Sequence, residues 1–313
     1  MKVEATHFPS KTVHRLAVVT AAATFPLLFI GGLVTSKGAG LSVPDWPTTF
    51  GYNMFLYPWS EMIGDIFYEH SHRLVASGVG LLTILLACSL WFYEPRRWMR
   101  WLGAAALGLV VMQGIIGGLR VVLLEETLAI IHACAAQAFF ALTVSLVFFT
   151  SGEWAGEPER VEPSDAARLQ RLSVLVTALI YLQGVFGAVL RYAGAGLYYH
   201  LFFAALVTIH VVLLVTRISR SHRGQSRLLR PAIFLGALLV AQIALGLGSY
   251  LAKFTPLGSS LAAAATVILT TTHLVTGALM LVTGLALTLR SYRLRGLPRS
   301  RPSQGLLAEQ LSA

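Results

Sequence analysis

Apolar residues run along the chain in eight long blocks, at about 14–36, 68–93, 99–122, 127–150, 168–191, 197–217, 230–251 and 264–289. Few or no charges interrupt them. A helix needs roughly 20 apolar residues to cross a bilayer core, and every block reaches that length. Breaks fall at Glu94-Pro95, at the polar stretch 151–167 and between Lys253 and Pro256. The pattern predicts an all-α integral membrane protein of eight transmembrane helices. The first block exceeds the apolar core of a signal peptide and lacks a small-x-small site after it, so it reads as a helix.

The blocks repeat. Gly-Ala-Gly-Leu occurs at 38–41 and again at 194–197, an offset of 156. His72 maps to His200 at an offset of 128, Gln113 to Gln242 at 129, and His132 to His273 at 141. Any one match is weak, because small residues recur in membrane bundles, but the matches keep their order. The expected fold is therefore two pseudosymmetric four-helix bundles. The first occupies 1–150 and includes a long outer loop at 37–66. A cytoplasmic linker follows at 151–167, a second bundle at 168–290, and a basic cytoplasmic tail at 291–313. The long loop contains Ser42-Val-Pro-Asp-Trp-Pro-Thr-Thr-Phe-Gly51, whose prolines and Trp46 suggest an ordered cover. Trp46, Tyr57 and Trp59 also suit an interfacial aromatic belt.

Composition agrees with the pattern. Hydrophobic residues make up 56% of the chain and charged residues 12%, where a soluble domain carries about 25% charged. The net charge of +10 would fit a nucleic-acid binder, but its distribution does not. With the N-terminus in the cytoplasm, 19 of the 24 Lys and Arg residues fall on the cytoplasmic side. Only Lys37, Arg73, Arg120, Arg191 and Lys253 lie outside. The excess is a topology signal that puts both termini in the cytoplasm of a multi-pass inner-membrane protein, and no nucleic-acid partner is expected. Cys88 and Cys134 lie inside predicted helices without a CxxC motif, and neither is given a function.

His72, His132, His200 and His273 all fall in the outer half of the membrane, two per bundle. Neutral imidazole is the commonest metal ligand. Two imidazoles on facing helices of a bundle supply what a haem iron needs for axial ligation. A single such histidine is better read as a helix–helix hydrogen bond; four in repeated pairs favour ligation. His7, His14 and His222 lie at cytoplasmic ends and are expected in solvent. His70 points away from the His72 face. His210 lies near mid-membrane, off the His200 face, and touching a cofactor is the less favoured reading for it and for His70. Met112, Phe139 and Phe140 read as core.

Glu69 stands three residues before His72, on the same helix face. A carboxylate there can orient an imidazole, move a proton or stabilise a developing cation. It also suits a solvated helix start. At an offset of 128 its counterpart is Leu197. The acid and the long loop thus belong to the first half alone, which suggests that this half does chemistry.

These residues resemble the haem A synthase family. The resemblance rests on Gly38-Ala-Gly-Leu41, Asp45-Trp46-Pro47, Glu69-x-x-His72-Arg73, Gln113-Gly114-x-x-Gly117-Gly118 and Ile131-His132-Ala133. Gln183-Gly184-x-x-Gly187, His200 and Thr272-His273 extend it through the second half. It implies conversion of the C8 methyl of haem O to a formyl group by successive hydroxylation and loss of water. It makes Glu69 the catalytic acid, His72 and His132 the substrate-haem ligands, and His200 and His273 the ligands of a resident haem b. It implies haem O, haem O synthase, cytochrome oxidase subunits and an electron donor as partners, beside the lipid bilayer, and is compatible with a homo-oligomer. Many bacterial members carry a cysteine pair in the first outer loop; Val43 and Thr49 stand in the corresponding region here, so no disulfide forms there. Arg73, Arg120 and Arg191 are candidates to pair with haem propionates. The main rival is a di-haem b electron-transfer protein with no substrate haem. A proton-gating transporter is disfavoured, because its site would lie at the midplane.

Overall fold

The computed structural model describes residues 10–156, 160–161 and 163–296. His7 and the basic tail beyond residue 296 lie outside these. Helices α1 (Lys11–Ser36), α2 (Gly64–Tyr93), α3 (Arg97–Leu123) and α4 (Glu126–Phe149) form the first half. A short α5 (Gly152–Ala155) precedes α6 (Pro163–Ala193), α7 (Leu197–Ser221), α8 (Ser226–Phe254) and α9 (Ala263–Ser291). Eight of these are long and apolar enough to cross a membrane, and the fold is all-α. Each matches its apolar block to within five residues at either end. The largest departure is α6, which starts inside the stretch read as a linker.

Lipid is the solvent for most of this surface. Within the most apolar stretch of each long helix only 17–33% of the residues are buried in protein, so the rest face acyl chains. Hydroxyls in such helices need partners, and they bond back to the preceding turn, as Thr24 does to Thr20 O and Thr83 to Val79 O.

Within the first half, α1 packs on α2, α2 on α3, α3 on α4 and α4 on α1. In the second, α6, α7, α8 and α9 close in the same way. α1 and α4 meet α9, and α4 meets α6, along the seam. Eight crossings place the start of α1 and the end of α9 at one end, called near here; the other end is far.

The apolar cores sit toward the near end. Val13, Ala17, Leu86, Leu90, Met99 and Leu146 build one. Leu169, Val176, Leu214, Ile218, Leu235 and Leu287 build the other. Leu28, Phe140 and Ala278 fill the seam. Polar contacts also latch the near end. Arg290 pairs with Glu153 at 2.7 Å, and β3 (Arg160–Val161) lies parallel to β4 (Arg295–Gly296). His222 was expected in solvent, but it is buried, paired with Asp165 at 2.7 Å and hydrogen-bonded to Gln225. Its neighbours lie on other turns and another helix, beyond the reach of local sequence.

At the far end, Gly38 (φ +74°) terminates α1 and Gly194 (φ +63°) follows α6. Both take the left-handed conformation that ends helices without a Cβ penalty. The segment after α6 turns back within three residues. The segment after α1 runs to residue 63 and forms a small unit of its own. Its hairpin pairs β1 (Thr48–Thr49) with β2 (Tyr52–Asn53), and Ala39, Val43, Thr49 and Tyr57 are buried in it.

The end of α1 ties the halves together. Arg191 of α6 donates to Gly32 O at 2.8 Å and to Ser36 Oγ. Ser36 also meets Thr270 and Thr271 of α9, and Thr35 bonds Tyr192. A charged donor in such a setting is worth about 1.5–3 kcal/mol. Arg191→Ala is therefore expected to lower the thermal unfolding midpoint of the detergent-solubilised chain, with Arg191→Lys recovering part of the loss.

Candidate functional site

Each of the four far-end histidines lies against a glycine on the preceding long helix. A Cβ built on Gly31 would stand 3.1 Å from His72 Cε1, and one on Gly117 2.9 Å from His132 Cε1. The corresponding separations are 3.3 Å for Gly187 and His200 and 3.0 Å for Gly246 and His273. These separations are tighter than ordinary van der Waals contact, so a side chain larger than glycine would press on each ring, most of all at Gly117. Gly31 maps to Gly187 at the offset of 156, and Gly117 to Gly246 at 129. These are the offsets already set by the loop motif and the glutamines.

His200 and His273 face each other with ring centroids 6.3 Å apart and planes at 71°. A metal–imidazole nitrogen bond is about 2 Å long, and the ring centre lies roughly 1 Å further on. One ion held between two imidazole nitrogens therefore needs centroids about 6 Å apart, which this pair satisfies. Among the described residues no three His, Cys, Asp or Glu side chains cluster as a metal site. Two imidazoles cannot complete the coordination of a bare ion, but they complete that of a tetrapyrrole iron. In the first ring, His72 and His132 lie within electrostatic range of one another, and Arg120 and Arg73 are in range of His72. Nδ1 of His72, His132 and His273 is buried without a hydrogen-bond partner among the described residues. Such orphaned polar atoms mark a site built for something more than packing.

Glu69 is buried at 4% exposure. Its carboxylate accepts from the Val43 N–H at 3.0 Å and from Arg73 at 2.8 Å. The Arg73 guanidinium also donates to Val43 O, Asp45 O and Thr48 O. This ion pair thus ties the long loop to α2. With Nδ1 of His72 unpartnered, Glu69 does not orient the ring through that nitrogen, although the two share a helix face.

His70 is 1% exposed and serves the same loop. It hydrogen-bonds Thr49 at 3.1 Å and packs on Tyr57 at 5.1 Å between centroids. Tyr57 therefore lies inside the cover, while Trp59 is exposed. Trp46 lies on Gly118, where a Cβ would overlap the indole. The adjacent Gly117 carries His132. Arg120 donates to Gly40 O at 3.0 Å. All three outer arginines are thus engaged by α1 and its loop, which none of their sequence neighbours revealed. His210 bonds Leu206 O of its own helix, and His14 bonds Thr150 at the near end.

Asp45 caps the hairpin. Burial alone would raise its pKa, but hydrogen bonds from the Gly51 N–H, the Thr48 hydroxyl and the Phe50 N–H outweigh it. The net effect holds the group below its ordinary 3.8. A depressed folded pKa contributes stability that is present above the unfolded value and lost as pH falls through the folded one. Limited proteolysis of the loop is expected to accelerate below about pH 4, and Asp45→Asn should show rapid cleavage already at neutral pH.

A family model described as cytochrome oxidase assembly protein matches residues 14–202. That span includes Glu69, His72, His132 and His200. A haem A synthase of Shouchella clausii is 28% identical over 191 residues, 60% of this chain and 62% of that protein. A haem A synthase of Alkalihalophilus pseudofirmus is 34% identical over 110 residues, 34% of this chain and 35% of that protein. One from a Caulobacter species is 28% identical over 227 residues, 61% and 63% of the two chains. The chain thus covers less than two thirds of the length of each of these relatives.

Proposed function

This chain belongs to the cytochrome oxidase assembly protein family, the haem A synthase family its motifs resemble, and we propose that it converts haem O to haem A for cytochrome oxidase maturation. The observation that carries the reading is the unequal pair of rings. Each ring seats two imidazoles on glycine, and only the first adds a buried carboxylate under an ordered cover. The named relatives support the same activity.

On this reading the rings are duplicated bundles with divided roles. His200 and His273 hold a resident haem b, which supplies one-electron chemistry when bound. The facing geometry of that pair supports the assignment. His72 and His132 bind haem O as substrate beneath the loop. The C8 methyl is hydroxylated twice, water or dioxygen supplying each oxygen and an external electron carrier completing the redox balance, and the resulting gem-diol loses water to leave the formyl group. Glu69 accepts a proton or stabilises positive charge at that carbon. Arg73 holds the carboxylate in place, and the loop 43–48 excludes bulk water. The far end faces outward and both termini face the cytoplasm, in keeping with the distribution of Lys and Arg. The neighbours in this pathway, haem O synthase and cytochrome oxidase subunits, are the expected partners.

Two measurements test this. Pigments extracted from the purified chain should include haem b together with haem O, its hydroxylated form or haem A; haem b alone would instead make it a di-haem electron-transfer protein. Glu69→Gln keeps a carbonyl oxygen to accept from the Val43 N–H, and removes the charge together with the oxygen that accepts from Arg73. General acid–base groups contribute about 10²- to 10⁴-fold, so this variant should hold its pigment and lose haem A formation by at least about 100-fold. Turnover at the full rate would remove Glu69 from the chemistry.

A further inference from the structure

Three of the four imidazole seats carry a glutamine one helical turn before the glycine. Gln113 precedes Gly117, Gln183 precedes Gly187 and Gln242 precedes Gly246. At the fourth seat, before Gly31, the residue is Leu27. Each glutamine reaches its histidine. Gln183 Nε2 lies 3.1 Å from His200 Nδ1 and 3.3 Å from Nε2. Gln242 Nε2 lies 3.5 Å from His273 Nε2. Gln113 Nε2 donates to His132 O at 3.1 Å.

All three carbonyl oxygens are buried without a donor among the described residues. Nδ1 of His132 and His273 is buried in the same condition. Each buried acceptor or donor left unpaired costs free energy; Gln183 and Gln242 lie against the ring of their histidine, and Gln113 holds the backbone of His132. Turning the Gln183 amide over puts its oxygen where the nitrogen now stands, 3.1 Å from His200 Nδ1. There it accepts the imidazole N–H and satisfies both groups. An iron-ligating histidine ordinarily donates its second N–H to such an acceptor, which fixes the ring and raises its basicity. His72 has no counterpart. Its Nδ1 is orphaned, and leucine offers nothing to accept from it.

Resting on the haem reading above, we infer that Gln113, Gln183 and Gln242 are positioning residues for His132, His200 and His273, and that His72, opposite Leu27, is the axial imidazole that yields. The first ring then holds its haem firmly on the His132 side and opens an iron face on the His72 side. The second ring holds both faces. The asymmetry rests on Leu27 standing where the other three seats have glutamine.

The full-length chain, purified in detergent and saturated with haem b, tests this by spectroscopy without turnover. A more basic imidazole favours ferric iron and lowers the potential. Gln183→Leu should therefore raise the midpoint potential of the second-ring haem, and Gln183→Glu should lower it. Loss of packing alone would not move the two variants in opposite directions. Carbon monoxide should bind reduced haem in the first ring and not in the second. Leu27→Gln should weaken that binding about fivefold, since one added hydrogen bond is worth about 1 kcal/mol. His72→Ala should keep two haems per chain and His132→Ala only one. Unmoved potentials, unchanged carbon monoxide affinity in Leu27→Gln, or equal haem loss from both histidine variants would overturn the inference while leaving the haem reading intact. A chain that takes up no haem would overturn both.

Discussion

In both halves each far-end imidazole lies with an edge against the backbone of a glycine. A Cβ on Gly31, Gly117, Gly187 or Gly246 would stand 2.9–3.3 Å from the ring carbon, tighter than ordinary van der Waals contact. The close approach of each helix pair at the far end follows from these four positions. So does the division of labour along the axis. Large aliphatic side chains interlock toward the near end, where nothing else has to fit. Toward the far end the side chains shrink and the polar ones increase. The apolar packing is thus concentrated in one half of each ring, and the histidines lie in the other.

A second constraint acts on the first ring alone. A carboxylate and a guanidinium are costly to bury unless they are paired and hydrogen-bonded. Glu69 and Arg73 pair with each other and add hydrogen bonds to the backbone of the loop they hold. Val43 supplies a donor and an acceptor, and Asp45 and Thr48 supply acceptors. The acid and its cover are therefore one unit. Removing the loop would strand a buried ion pair, and removing the pair would strand four backbone groups. This explains why the second half, which has Leu197 where the first has Glu69, also makes do with a three-residue turn.

Local pattern carried most of this architecture. Lipid imposes length and composition on a helix directly, so apolar blocks place all eight spans. The four histidines and the offsets between halves were legible for the same reason, since repeated polar residues stand out against leucine and valine. The glycines were visible but carried no meaning until each was found under a ring. What the sequence concealed were contacts between distant segments. Nothing near His70 in the chain announces Thr49 and Tyr57, and nothing near His222 announces Asp165. Arg73, Arg120 and Arg191 were candidates for anionic partners because a lone cation in an apolar helix invites one. Backbone carbonyls of α1 and its loop answered that need first.

The two rings also differ in how exchange with the surroundings is controlled. On the proposed reading the cofactor of the second ring needs only to be held, and no long loop follows α6; Tyr198 and Tyr199, next to His200 in the chain, are exposed. A substrate must enter, be sealed from water and leave altered. That requires a cover whose hold is strong in sum and weak in its parts. The loop over the first ring answers this description. Hydrogen bonds of about 1–3 kcal/mol each fasten it through Glu69, Arg73, His70 and Arg120, and the chain has no cysteine in that loop to lock it covalently. The carboxylate proposed to act on the substrate is also one of the fastenings. Any substrate that draws on Glu69 draws on the latch as well, so chemistry and access are joined at a single side chain.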